Sequence, residues 1–162
     1  MERIGKVIAV CLSKQGNVPK YPQARVIVDQ GFTGDFHAGA TRISRTTGQP
    51  KLNDRQLSLV ADEVLDALEE ELGIFLPAGS FGENITTLGL GNLADIPNGA
   101  IIAIGDAVRL RVMAQNTPCA NLNIYHPQMV RHSYGRRGIL ATVLAGNGAE
   151  LRPDMPIRVT AR

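Results

Sequence analysis

Aromatic residues make up only 4% of this 162-residue chain, and tryptophan is missing altogether. Proteins that bind single-stranded nucleic acid on stacking platforms need rows of aromatic rings, so that class is excluded. Net charge is small as well, with 17 basic against 15 acidic residues leaving a formal +2. Binding to a phosphate backbone by counterion release draws on a basic surplus this chain does not have, and no nucleic-acid partner is expected. Long apolar runs are also lacking. The N-terminal run Val7 to Leu12 has no small-residue cleavage pattern and falls far short of the roughly 20 residues of a membrane span. A cytoplasmic protein without a membrane partner is the expectation. Cysteine is scarce too, with only Cys11 and Cys119, far apart. Two such residues make neither a disulfide framework nor a zinc site of about four ligands, which fits a reducing compartment.

What is present is a 44% hydrophobic composition with no internal repeat and no linker. A chain of this length buries roughly two-thirds of its unfolded surface around one core, so residues 1–162 are read as a single domain. Ile4 to Leu12 reads as a buried strand, bounded beyond its end by Gly16-Asn17. Gln23 to Asp29 suits a second strand with one face partly wet, closed by Gly31. The breaker-rich segment from Thr46 to Asp54 predicts a mobile loop, and Gln56 to Val60 returns to alternation. Val64, Leu65, Leu68 and Leu72 then recur at helical spacing, with Glu63, Asp66, Glu69, Glu70 and Glu71 on the other face. Asp62 is the expected N-cap and Gly73 the left-handed C-terminal residue.

Further strands are predicted at Ala100 to Ile104, Ala107 to Ala114, Ile139 to Leu144 and Ile157 to Thr160. Gly105-Asp106 and Gly146-Asn147-Gly148 supply turns. The fold class is therefore mainly β, a barrel-like or sandwich arrangement that hides its edges, with one clear amphipathic helix and one or two short ones.

Two stretches stand out chemically. Gly79-Ser80-Phe81-Gly82-Glu83-Asn84-Ile85-Thr86-Thr87 packs two glycines, an acid, an amide and two hydroxyls between apolar neighbours, too polar for an ordinary strand. Asn116-Thr117-Pro118-Cys119 has the form of a helix start, with Thr117 as N-cap, Pro118 at the first helical position and Cys119 next. A thiol there would meet free backbone N–H groups and the positive end of the dipole, both of which favour a thiolate. Cys119 is thus a candidate nucleophile, sulfur carrier or soft-metal ligand. The bland reading is a small buried hydrophobe, which is the reading for Cys11. If the two stretches face each other, the first cradles a polar or anionic ligand and the second supplies the thiolate.

The histidines do not assemble a hydrolase. His126 reads as a surface residue, whereas His37 lies in the glycine-bracketed loop Gly34-Asp35-Phe36-His37-Ala38-Gly39 and can either line a ligand or tie the loop together. Arg131, His132, Arg136 and Arg137 form a basic cluster that is either a solvated loop or a phosphate holder. No Gly-Lys-Ser or Gly-Lys-Thr follows the Gly79 to Gly82 turn, which excludes an NTPase phosphate loop.

These motifs together resemble the MOSC family, the domain found at the C-terminus of molybdenum cofactor sulfurases and as stand-alone bacterial proteins. Gly34-Asp35-Phe36-His37-Ala38-Gly39 is similar to its Gly-Asp-x-His-x-Gly element, and Arg55-Gln56-Leu57-Ser58-Leu59 to the strand that follows. Phe81-Gly82-Glu83-Asn84-Ile85-Thr86-Thr87 is similar to Phe-Gly-Glu-Asn-Leu-Thr-Thr, Pro118-Cys119 to the Pro-Cys that carries the family cysteine, and Arg137-Gly138-Ile139-Leu140-Ala141 to Arg-Gly-x-Leu-Ala. The resemblance covers residues 24–159.

It implies a β-barrel-like fold and a role with the molybdenum cofactor. Cys119 would either accept sulfur as a persulfide or ligate molybdenum. Asp35, His37, Glu83, Asn84, Thr86 and Thr87 would line the cofactor pocket, with Arg42 and Arg137 as phosphate partners. The implied partners are a cysteine desulfurase, which would bring its own pyridoxal phosphate, or a molybdoenzyme, with an electron-donor protein if the chain is a molybdenum-dependent reductase of N-hydroxylated compounds. The amidoxime-reducing branch has an arginine ahead of its asparagine, whereas this chain has Ser80-Phe81-Gly82-Glu83 before Asn84. The alternative is a non-enzymatic module that binds a small anion or cofactor and delivers it to a partner.

Overall fold

The computed structural model describes residues 1–16 and 18–161, so Asn17 of the Gly16-Asn17 breaker lies outside the described residues. In chain order the strands are β1 (Glu2–Leu12), β2 (Tyr21–Gln23), β3 (Val26–Asp29), β4 (Gly31–Phe32), β5 (Thr41–Ile43), β6 (Pro50–Leu52) and β7 (Leu57–Ala61). Helix α1 (Asp62–Leu72) then leads to β8 (Ile85–Leu88), β9 (Ile101–Ile104) and β10 (Val108–Gln115). Helix α2 (Met129–His132) leads to β11 (Ile139–Ala145), β12 (Glu150–Leu151) and β13 (Pro156–Thr160).

Seven strands close into a barrel in the order β13-β9-β10-β11-β7-β8-β1, with β1 returning to β13. Closure removes the sheet edges that a strand-rich chain must otherwise protect. The long first strand makes this possible. Glu2 to Lys6 pairs antiparallel with β13, and Lys6 to Val10, across a register shift between Val7 and Ala9, pairs antiparallel with β8. The alternation in β10 places Val108, Leu110 and Val112 in the core, and β13 does the same with Ile157 and Val159. All of β7 is buried.

β7 and β8 run parallel, which requires a crossover, and α1 supplies it. Val64, Leu65 and Leu68 of α1 face the core as the spacing predicts, and Gly73 ends it at φ 64°, donating its N–H to the Glu69 carbonyl. Asp62 is the first helical residue rather than the cap. Ala61, still extended from β7, precedes it, and no side chain caps the end.

Three other expectations change. The strand expected over Gln23 to Asp29 is two, because β2 stays with β1 while β3 pairs with β4 and β12 in a separate sheet; Val26 and Val28 are buried there and Ile27 exposed. The loop expected from Thr46 to Asp54 contains one arm of a hairpin, β5 against β6, held at its base by Arg42 Nε on Asp54 Oδ1 at 2.7 Å. The polar stretch ends in a barrel strand after all, since Ile85 to Thr87 sit in β8 with their side chains buried. No helix among the described residues is long and apolar enough to cross a membrane.

Candidate functional site

Cys119 is exposed and lies in a cleft lined with it by Phe81, Gly82, Asn84, Asn116, Thr117, Arg137, His37, Arg45 and Arg55. The two stretches singled out from the sequence thus meet. The reason given for a thiolate does not hold, because the helical turn after Cys119 is a 3-10 turn over Ala120–Ile124 and Cys119 is its extended N-cap, with φ −131° and ψ 168°. Five residues of 3-10 geometry sum to little dipole. What stands next to the sulfur is Arg137, whose Nη1 is 3.7 Å from Sγ and also donates to the Thr117 carbonyl at 2.8 Å. Its Nη2 reaches the Phe81 carbonyl at 3.0 Å. One guanidinium therefore ties the Gly79–Asn84 turn to the cysteine loop. Burial pulls the Arg137 pKa down and the neighbouring sulfur opposes that.

The His37 and Asn84 part of the lining is built on a residue the sequence does not announce. Lys20 is buried, 2% exposed. Its Nζ contacts Asp35 Oδ2 at 2.9 Å, Asn84 Oδ1 at 3.1 Å and His37 Nδ1 at 3.2 Å. Three acceptors match the three N–H bonds of an ammonium. Burial lowers the Lys20 pKa, and the Asp35 carboxylate acts against that. Asp35 itself accepts the Ser13 and His37 backbone N–H groups at 3.1 and 3.0 Å, so the loop 34–39 is pinned to the end of β1 through one carboxylate. The His37 ring, held edge-on by Phe36 at 5.2 Å, has its pKa lowered to about 4, first by burial and then by the Lys20 cation. It is neutral at pH 7.

Asn84 links this lysine to β1 and β7. Its Oδ1 accepts from the Ser58 N–H at 3.1 Å as well as from Lys20, and its Nδ2 donates to the Cys11 carbonyl at 3.1 Å. The side-chain amide adds to the backbone of the same residue, whose carbonyl accepts the Cys11 N–H at 2.7 Å and whose N–H donates to the Ser58 carbonyl at 2.9 Å. Glu83 closes its own turn: Oε1 accepts the Gly79 N–H at 2.6 Å and the Thr86 hydroxyl at 2.9 Å, and Oε2 the Phe81 N–H at 2.9 Å. Burial raises its pKa, and these donors counter the rise. Glu83, Thr86 and Thr87 lie behind the wall and do not line the cleft; Asp35 is likewise one layer back. The Thr87 hydroxyl is buried without a partner among the described residues.

Of the remaining expected residues, Arg42 is engaged with Asp54 on the hairpin and lies outside the cleft. The basic cluster divides, since Arg136 and His132 both pair with Glu71 of α1 and only Arg137 turns to the cleft. His126 Nδ1 accepts the Gln128 N–H in a local turn. Cys11 is fully buried in β1 with its pKa pushed up to about 12, chiefly by burial and then by Glu83, and is inert as expected. A larger concavity of about 630 Å³ along Pro97 to Ile101, Thr160 and Ala161 holds no titratable side chain, so its volume carries no chemistry.

The model of the MOSC domain matches residues 33–158. Solved structures agree on the fold. YuaD protein from Bacillus subtilis superposes with a TM-score of 0.88 at 21% identity, covering 100% of this chain and 98% of its own. YiiM from Geobacillus stearothermophilus gives 0.71 at 24% identity over 98% and 76%, and YiiM from Escherichia coli 0.65 at 20% over 97% and 70%. No curated protein matches the chain in sequence. The matched stretch spans well over half of the chain, including the cysteine loop and most of the barrel, and this protein belongs to the MOSC domain family, whose members are associated with the molybdenum cofactor.

Proposed function

We propose that the cleft binds a molybdenum cofactor of the molybdopterin type with Cys119 as its working sulfur, and that Cys119 carries sulfane sulfur to or from that site. The observation that carries the reading is an exposed thiol in a cleft beside an arginine that already contacts its sulfur. An accessible sulfur is what a donor protein needs to reach. The residues fit such a group. Arg137 stands at the sulfur, and Arg45, Arg55 and His37 of the same cleft lining offer donors for the anionic end. Bound there, the cofactor would supply molybdenum held by sulfur and oxygen ligands. No cluster of three His, Cys, Asp or Glu able to hold a metal exists among the described residues, so the remaining ligands of any metal at Cys119 would belong to the cofactor. The cleft encloses about 150 Å³, below the roughly 300 Å³ at which pockets for whole small molecules begin, so part of the cofactor would stay exposed to a partner.

In the carrier reading, the Cys119 thiolate attacks the outer sulfur of a persulfide on a cysteine desulfurase. The donor's S–S bond breaks as a new one forms on Cys119, and the donor cysteine leaves as a thiolate, with no net oxidation. Pyridoxal phosphate belongs to the desulfurase. The second reading, Cys119 as a molybdenum ligand, rests on the same thiol in a cleft with basic lining. It would make the chain a component of a reductase fed by an electron-donor protein.

Incubation with a pyridoxal-phosphate desulfurase and cysteine is expected to add the mass of one sulfur to wild type and none to Cys119→Ala. Molybdenum that co-purifies with wild type and is lost in Cys119→Ala, with no sulfur gain, would replace the carrier by the ligand reading. Absence of both would reject the proposal.

A further inference from the structure

Lys20 has no access to the cleft, yet it determines what the cleft offers. An ammonium has three N–H donors and no acceptor, and Lys20 spends all three on Asp35, Asn84 and His37 Nδ1. A histidine nitrogen that accepts from an ammonium carries no proton of its own. In a neutral ring the proton must then sit on Nε2. The ring is 39% exposed and lines the cleft with Arg45 and Arg55. Both guanidinium groups are near enough to His37 to help hold it uncharged. Arg45 has no ion pair among the described residues, while Arg55 Nε is 4.0 Å from Asp54. The acid nearest the ring, Asp35, lies behind it and is occupied by Lys20 and two backbone N–H groups.

We propose that His37, Arg45 and Arg55 form an oxyanion site in which Lys20 is a positioning residue that fixes His37 as an Nε2–H donor. The ligand class is a tetrahedral oxyanion, a phosphate group above all. The chemistry favours it because the wall presents donors only: two forked guanidinium groups and one neutral N–H, with no side-chain carboxylate lining the cleft. A neutral donor also works across the pH range in which an ordinary histidine would change charge. This deepens the cofactor reading by assigning the anionic end of the ligand to the His37, Arg45 and Arg55 part of the cleft lining. It departs from the expectation that Arg42 takes that role. Because the assignment concerns the apo protein, it can be tested whether or not molybdenum loads.

The experiment is a two-bond nitrogen–proton spectrum of histidine-labelled apo protein at pH 7, titrated with inorganic phosphate and, separately, with phenyl phosphate. His37 is expected in the Nε2–H tautomer, with its Nε2 signal moving saturably. Response to both probes identifies a phosphate ester end, and response to the inorganic ion alone a free oxyanion; either supports the site. His37→Gln, whose amide nitrogen can stand near Nε2, keeps binding within a few-fold, whereas His37→Phe weakens it at least about tenfold, the scale of a hydrogen bond to a charged group. In the double variant Lys20→Met/Asp35→Asn, which removes both buried charges together, the tautomer becomes mixed and phosphate binding weakens although neither residue reaches the cleft. An Nδ1–H tautomer in wild type, a His37 signal unmoved by either probe, or wild-type binding in His37→Phe would overturn the proposal. An unchanged tautomer and affinity in the folded double variant would overturn the role of Lys20.

Discussion

Gly138→Ala is expected to cost more than about 4 kcal/mol, a large part of the roughly 5–15 kcal/mol that holds a domain together. A Cβ at this position would lie 1.9 Å from the Leu59 carbonyl oxygen and 3.2 Å from the Val60 Cα. These are backbone atoms of β7, one strand away in the barrel, and they cannot rotate aside as a side chain would. The residue also holds φ +80°, a region L side chains avoid. The clash falls where β11 begins its pairing with β7, at Ile139 opposite Leu59, and one residue from Arg137. Gly148→Ala is the control. It has a similar φ of +84° but nothing within 4 Å, so only the backbone term remains, about 1–2 kcal/mol. Urea unfolding monitored by far-UV circular dichroism would measure both. Equal midpoints for the two variants would show that close approach to β7 is not what position 138 requires.

Lys20→Met is the second large effect, expected at about 3–5 kcal/mol, because it leaves the Asp35 carboxylate buried without its cation. Both side chains are essentially inaccessible, at 1% and 0%, so no solvent screening reduces the figure. The loss should show in more than stability. Asp35 pins loop 34–39 to the end of β1, so protection of the His37 backbone amide from hydrogen exchange should fall with it. The double variant Lys20→Met/Asp35→Asn should recover a substantial part of the loss, since removing both members of a buried pair is far less damaging than removing one. If the single and double variants are equally unstable, Lys20 acts by packing rather than by charge.

Much of the barrel is written in local pattern. β10 alternates because one face meets the core and the other does not, and α1 shows its 3.6-residue period because it crosses from β7 to β8 with one side down. The barrel's closure is not local, since β1 meets β13 across almost the whole chain length. β8 was hidden by its own polarity. Thr86 is tolerated in a buried strand because its hydroxyl donates to Glu83, whose carboxylate also closes the preceding turn, a pairing no period reveals, while the Thr87 hydroxyl is buried without a partner among the described residues. At the site, Cys119, Asn84, His37 and Arg137 were legible as residue types in unusual company. Their proximity was not, and neither was Lys20. Val18-Pro19-Lys20-Tyr21 reads like any surface turn, and only the fold shows that Asp35, His37 and Asn84 converge on its nitrogen. The expected helix at Cys119 failed because Thr117 and Cys119 keep their backbones out of it, with Thr117 held by Arg137 instead.

The central claim is that the cofactor occupies the cleft over Cys119, and protection of that thiol tests it most directly. Alkylation by excess iodoacetamide, read by peptide mass spectrometry, should modify Cys119 readily in apo protein, while Cys11 stays unmodified as an internal control because its thiol is buried and held at about 12. Saturation with isolated molybdenum cofactor is expected to slow modification of Cys119 by at least about tenfold and to leave Cys11 unchanged. Cofactor that binds with undiminished alkylation of Cys119, or that fails to bind at all, would contradict the account.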